Sequence, residues 1–253
     1  MKLILYIGHH KVGSTSLQAF LAQNAHLLIK AGILYPAVDP RGLTHMLRQS
    51  IGIADKPGKL PPHLREPHSA LAYRMIAEVS RRPVPPQFQD MPPLEHMIAT
   101  LQDQVARLRP QTVIMCSEVF SNFGEVSPDL IDRLLGLFPQ VSQMQVYAVL
   151  RRPDEYLVSW HGQRLKVGEA LAPVDASLDE YFPTIHFDYS RVILPWRDKC
   201  QGAKFTLRNY GAVLKTGNSV RDFRAQSIVK LPTALTPPPR ITNAWPFAVM
   251  GVM

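Results

Sequence analysis

The sequence predicts an α/β fold with three α/β/α layers around a mostly parallel central sheet. Three observations predict it. Short apolar runs at Leu3–Ile7, Thr112–Ser117, Met144–Leu150 and Lys204–Arg208 alternate with longer segments of helical periodicity. Strands that alternate with helices pair in parallel, and the helices cover both faces of the sheet. The first run passes directly into a loop containing Gly8 and Gly13 and then into a helix start. The 253 residues, 46% of them hydrophobic, suit one large domain with a single core.

Taken in order, the strand at Leu3–Ile7 is followed by a helix opening at Ser14 or Thr15. Leu17, Phe20, Leu21 and Leu28 repeat on one face of it. It ends near Lys30–Gly32, where glycine suits a C-terminal cap. Residues 36–68 are rich in Pro, Gly and His with weak periodicity and read as a long surface excursion. Such segments often cover a site, so 36–93 is expected to form the acceptor side or lid. Leu71, Met75, Ile76 and Val79 mark a helix over 69–80, and 81–93 is again Pro-rich. Leu94, Met97, Ile98, Leu101, Val105 and Leu108 mark a helix that Pro110 stops. After the strand at 112–117, Ser127-Pro128 starts a helix with Ser as cap and Pro in the first turn, burying Leu130, Ile131, Leu134 and Leu135. The strand at Met144–Leu150 leads to a helix from Asp154 to about Lys166. A helix near 188–200, interrupted at Pro195, precedes the strand Lys204–Arg208. Residues 1–230 are expected to form the domain, and the Pro-rich, then apolar, 231–253 reads as a tail packed upon it or partly ordered.

Lys plus Arg is 28 and Asp plus Glu is 20, a net charge of +8 that favours an anionic ligand or surface. Basic clusters stay short, which argues against nucleic acid. Cys116 falls in an apolar strand and Cys200 lies far from it, so neither a disulfide framework nor a zinc site is indicated. The nine histidines show no HExxH-type spacing. The apolar runs are too short to span a bilayer, and the N-terminus lacks the pattern of a cleaved leader. These features predict a cytoplasmic protein.

Residues 8–18, Gly-His-His-Lys-Val-Gly-Ser-Thr-Ser-Leu-Gln, are the most informative stretch. Strand, glycine loop and helix N-terminus together make an anion site, because free N–H groups and the helix dipole converge there. This order is P-loop-like. The ATP-type loop, however, reads G-x-x-x-x-G-K-[ST]. Here the Gly8–Gly13 spacing is kept, position 14 is Ser, and the lysine stands earlier, at Lys11. A second anchor lies at Leu-Arg-Arg-Pro-Asp-Glu-Tyr-Leu-Val-Ser-Trp, residues 150–160. Arg151 sits at a strand end, Pro153 begins the next helix, and Ser159 follows two turns later. A guanidinium binds phosphate through paired hydrogen bonds and a hydroxyl adds another. The alternative is an ion pair of Arg151 with Asp154 or Glu155.

Together the anchors resemble the sulfotransferase superfamily, which uses 3'-phosphoadenosine 5'-phosphosulfate (PAPS). Lys11-Val12-Gly13-Ser14-Thr15 is similar to its Lys-[Ser/Thr]-Gly-[Ser/Thr]-Thr motif for the 5'-phosphosulfate. Arg151, Pro153 and Ser159 are similar to its motif for the 3'-phosphate. Phe187-Asp188-Tyr189 through Pro195-Trp196, and Arg208-Asn209-Tyr210, also look like bacterial members. The resemblance spans about residues 1–215. Val12 departs from the usual hydroxyl residue, and residues 215–253 carry no Arg-Lys-Gly stretch of the kind that closes over the nucleotide.

The resemblance implies transfer of a sulfuryl group from PAPS to a hydroxyl or amine of a carbohydrate, lipid or small metabolite. Such chemistry needs positioning and charge stabilisation. Lys11 is expected to offset charge on the bridging oxygen. The amides of Gly13 to Ser16, with the Ser14 and Thr15 hydroxyls, would hold the 5'-phosphate, and Arg151 with Ser159 the 3'-phosphate. A base must take the acceptor proton. Glu118, at a strand end, is the first candidate, with a structural carboxylate that caps the following turn or pairs with Arg151 as its alternative. His45, in the excursion, is the second. Tyr156 and Trp160 either contact adenine or belong to the core. No metal is required. The rivals are a P-loop-type small-molecule kinase, which would carry lysine at position 14, and a non-catalytic nucleotide- or polyanion-binding module.

Overall fold

A computed structural model describes residues 1–53, 60–166 and 168–237. Five parallel strands form one sheet: β1 (Lys2–Gly8), β2 (Ile33–Leu34), β3 (Thr112–Cys116), β4 (Gln143–Leu150) and β5 (Lys204–Asn209), in the order β2-β3-β1-β4-β5. Leu5 lies opposite Met115 on one side and Val146 on the other. The helices are α1 (Ser14–Gln23), α2 (Ala25–Lys30), α3 (Pro40–Ser50), α4 (Pro62–Arg65), α5 (Pro67–Ser80), α6 (Leu94–Leu108), α7 (Phe123–Val126), α8 (Asp129–Gly136), α9 (Pro153–Lys166), α10 (Leu178–Tyr181), α11 (Ser190–Lys199), α12 (Tyr210–Lys215) and α13 (Ser219–Gln226).

Alternation along the strands divides the core in two. Leu3, Leu5, Ile7, Val113, Met115, Val146 and Ala148 face one way, against Leu71 and Met75 of α5, Leu101 of α6, Leu134 of α8 and Trp196 of α11. Ile4, Tyr6, Ile114, Cys116, Tyr147 and Val149 face the other, against Leu17 and Phe20 of α1, Val213 of α12 and Phe223 of α13. Helices thus cover both faces, as the strand–helix alternation requires. The inner strands read as continuous apolar runs because both of their faces are buried.

The connection after β1 runs toward β2 and β3, and the one after β4 runs toward β5. The chain therefore reverses direction between β1 and β4, and a crevice opens beyond their carboxyl ends. The glycine loop lies at the end of one of these strands and Arg151 at the end of the other. The His9 amide donates to the Val149 carbonyl at 3.0 Å, which locks the two ends together.

Several expectations need correction. Residues 36–68 are not a surface excursion throughout. Ala37 and Val38 are buried, α3 spans 40–50, and His68 is wholly buried between the Pro36 carbonyl and the Cys116 amide. The first helix breaks at Asn24, whose side chain donates to the Phe20 and Thr236 carbonyls and accepts from the Thr236 amide. That pair of bonds, with buried Leu231 and Leu235, joins the start of the expected tail to the α1 face. The rest of the tail, 238–253, lies outside the described residues. Ser127 does not cap α8 through its side chain; the helix starts at Asp129 after Pro128. Leu135 is only partly buried.

Candidate active site at the crevice between β1 and β4

The loop after β1 needs left-handed backbone at three positions: Gly8 (φ 63°), Lys11 (φ 60°) and Gly13 (φ 80°). Glycine meets this freely at two of them, and at Gly8 it is also required by space. A Cβ there would stand 2.8 Å from the Glu118 Cα. Among the described residues, the amides of Lys11, Val12 and Gly13 donate to no backbone carbonyl outside the helices and strands. The first amides of α1 are unpaired by helix geometry. The result is a concave row of donors at a helix N-terminus, which suits an anion. Val12 points into the core beside Leu17. At this position the backbone, not a side-chain hydroxyl, faces the loop.

Lys11 Nζ donates to Gln163 Oε1 of α9 at 3.3 Å. Partial burial lowers the lysine's pKa, and the positive charges of Lys166 and Arg151 add to that. Three cations therefore share the crevice. Arg151 Nε pairs with Glu155 Oε2 at 3.1 Å, so the ion pair that was the alternative reading of Arg151 is present. The guanidinium also lies 5.4 Å from the centre of the Tyr210 ring, and the Arg151 carbonyl accepts from the Tyr189 hydroxyl at 2.7 Å. Glu155, Ser159 and Gln163 follow at four-residue intervals and so share one face of α9. Glu155 touches the second anchor and Gln163 touches the first. Half-buried Ser159 stands between them on a face that runs about 12 Å from one contact to the other.

Glu118 opens a 3-10 turn directly after β3. It is not paired with Arg151. Gln18 Nε2 donates to its Oε2 at 2.7 Å, and the Ser14 hydroxyl also bonds it. Burial raises its pKa, and these bonds, with the charge of Arg65, hold it back. Its two partners come from the first turns of α1, so the carboxylate adjoins the loop. Ser14 is buried at the helix start, beside Glu118. Thr15 and Ser16 remain half-buried at the helix start.

His45 does not join this group. It is buried on α3 with Nε2 2.9 Å from Gln49 Nε2, and Gln49 reaches the Gln23 carbonyl. Gln23 ends α1, about 13 Å along the helix from the glycine loop.

The loop's adjacent His9 and His10 are joined by His186 from a distant segment. Buried His9 presents Nε2 to the Ile185 carbonyl at 2.9 Å. His10 lies 5.5 Å from the Trp160 ring, and His186 stacks on Trp160 at 4.3 Å with Nδ1 2.9 Å from the Tyr156 hydroxyl. Burial pushes His10 down to about 4 and His186 to about 3, and neighbouring positive charge adds to both shifts. Both imidazoles are neutral above that range and add no charge beside Lys11. Tyr156 is fully buried, so it belongs to the core, whereas Trp160 is half-buried, packed on that same cluster and against His10 and His186. Among the described residues no group of three or more His, Cys, Asp or Glu is placed to hold a metal ion.

A last contact comes from α13, where the Ser219 hydroxyl donates to the Gly13 carbonyl at 3.0 Å. Gln163, Gln18 and Ser219 were not foreseen from sequence. The four-residue step from Ser159 is the only signal that pointed to Gln163. Comparison with protein-family models, with curated proteins and with solved structures finds no match to this chain.

Proposed function

We propose that this chain is a sulfotransferase that moves a sulfuryl group from PAPS to a hydroxyl or amine of a carbohydrate, lipid or small-molecule acceptor. The observation that carries the reading is the convergence of two anion anchors on one crevice. The amide row with Lys11 and the Arg151–Ser159 pair leave adjacent parallel strands at the switch point of the sheet. A single face of α9 contacts both. The strand order, with the glycine loop directly after the central strand, supports a P-loop-like version of the fold.

In this reading the residues divide the work. The amides of Gly13 to Ser16, with the Thr15 hydroxyl, bind the 5'-phosphate. Lys11, steered by Gln163, faces the bridging oxygen and stabilises the negative charge that grows there as the S–O bond breaks. Arg151 and Ser159 bind the 3'-phosphate, with Tyr210 and Tyr189 fixing the arginine. Glu118 takes the acceptor proton, and burial, by raising its pKa, strengthens it as a base. Position 14 is a buried serine, where a kinase loop carries lysine.

Calorimetric titration tests the reading. The ligands are 3'-phosphoadenosine 5'-phosphate, adenosine 5'-phosphate and ATP. The expected result is binding that depends on the 3'-phosphate and weakens in Arg151→Ala. Tight ATP binding without that preference would overturn it in favour of a kinase. Binding of PAPS without product on a broad acceptor panel would favour a non-catalytic module.

A further inference from the structure

Away from the crevice, α3 and the residues just after it carry an exposed apolar stripe. Leu43, Leu47, Ile51 and Ile53 are all exposed, Leu47 and Ile51 to more than half of their surface. On the helical repeat Leu43, Leu47 and Ile51 fall on one side, four residues apart. The next sector of the same surface holds Arg41, Thr44 and Arg48, all exposed. His45 and Met46 face inward. Residues 40–53 contain no Asp or Glu. The arginine sector borders a shallow depression of about 320 Å³ lined by Arg41, Thr44, Arg48 and Leu64. Arg41 pairs there with largely buried Asp39, and exposed Asp90 lies at the same end.

We infer that α3 docks the protein on an anionic phospholipid bilayer. Leu43, Leu47 and Ile51 enter the acyl boundary, and Arg48, with Thr44 and Arg41, meets the lipid phosphates. An apolar sector beside a cationic one, on a convex helix, is the form of an interfacial helix. The net charge of +8 adds long-range attraction to such a surface. A second copy of the chain fits less well, because a two-fold contact through this stripe would bring the arginine sectors of both copies together. The inference does not depend on the transferase reading.

The test is co-sedimentation of the full chain with vesicles of phosphatidylcholine alone and of phosphatidylcholine with phosphatidylglycerol. Circular dichroism of each variant checks that it is folded. Binding is expected to the anionic vesicles only, to fall with added salt, and to weaken about tenfold or more in the double variant Leu47→Glu, Ile51→Glu. Arg48→Glu is expected to reduce both the binding and its salt dependence. Absence of vesicle binding by the wild-type chain, or binding unchanged in the double variant, would overturn the inference. So would a dimer in analytical ultracentrifugation that the double variant abolishes, which would assign the stripe to a second copy.

Discussion

Lys11 on the glycine loop donates a hydrogen bond to Gln163 on α9 at 3.3 Å. The contact joins two segments 152 residues apart and fixes the direction of a cation whose charge is already disfavoured. Partial burial weighs most against it, and Lys166 and Arg151 add to the cost. A cluster of like charges is stabilised by whatever anion neutralises it. Ligand binding and stability are therefore linked at this site.

The first prediction separates the lysine's part in turnover from its part in binding. Lys11→Ala should bind 3'-phosphoadenosine 5'-phosphate within a few-fold of wild type while turnover falls about 10²–10³-fold. Gln163→Leu should also lower turnover, by a smaller factor, because the lysine keeps its charge and loses its aim. Calorimetry and single-turnover kinetics on both variants check this. Loss of nucleotide affinity in Lys11→Ala without a fall in turnover would contradict the role.

Gly8 makes the second prediction. An alanine there must hold φ near +63° and place its Cβ 2.8 Å from the Glu118 Cα, a backbone atom that cannot turn aside. The left-handed strain and the overlap together should cost about 2–4 kcal/mol. Urea denaturation of Gly8→Ala measures it directly. The change should also displace Glu118, so activity is expected to fall more than stability does.

How far these features were legible varies with their physical origin. β1, β3 and β4, with α1, α6, α8 and α9, showed in the sequence because their apolar residues follow the period of the element and face a buried surface; β5, on the sheet edge, showed although none of its residues is buried. β2 has two residues and no period to read. α3 escaped notice because Pro40 and Gly42 interrupt the pattern and its leucines face solvent, not core. The break at Asn24 came from side-chain bonds that no composition signal announces. At the site, Lys11 and Arg151 were legible because strand ends and glycine loops are local features. Ser219, 206 residues from Gly13, was not, since nothing local links it to the loop. His45 was chosen for its chemistry and its segment alone, and the length of α1 separates it from the crevice.

The third prediction concerns Glu118. Burial raises its pKa, so the folded state favours the protonated acid. Stability attributable to this group is present at low pH and is lost as pH rises through the folded value. Glu118→Gln should therefore match or exceed wild-type stability near neutral pH. Transfer activity should nevertheless fall sharply, with the acid limb of the kcat/KM profile removed. A large loss of stability in this variant would mean that the carboxylate serves as a structural acceptor for Gln18 and Ser14.

Asp222 provides the fourth. It is fully buried and takes hydrogen bonds from the Tyr147 hydroxyl and from Arg208, whose Nη2 lies 2.6 Å from Oδ1. The group ties α13 to β4 and β5, and α13 in turn carries Ser219 to the glycine loop. Burial alone would raise the pKa of the acid, but the bonds from Arg208 and Tyr147 outweigh it, and the pKa is lowered. A depressed carboxylate contributes stability above its unfolded value, about 4. That contribution is lost as pH falls through the lower folded value. The wild-type urea midpoint should thus decline on acidification below about pH 4, and Asp222→Asn should show less of that decline. At neutral pH, Asp222→Ala leaves Arg208 without its partner and should cost about 3–5 kcal/mol. If α13 holds the loop through Ser219, the same variant should weaken binding of 3'-phosphoadenosine 5'-phosphate. Unchanged affinity in a folded Asp222→Asn protein would show that the loop keeps its shape without that support.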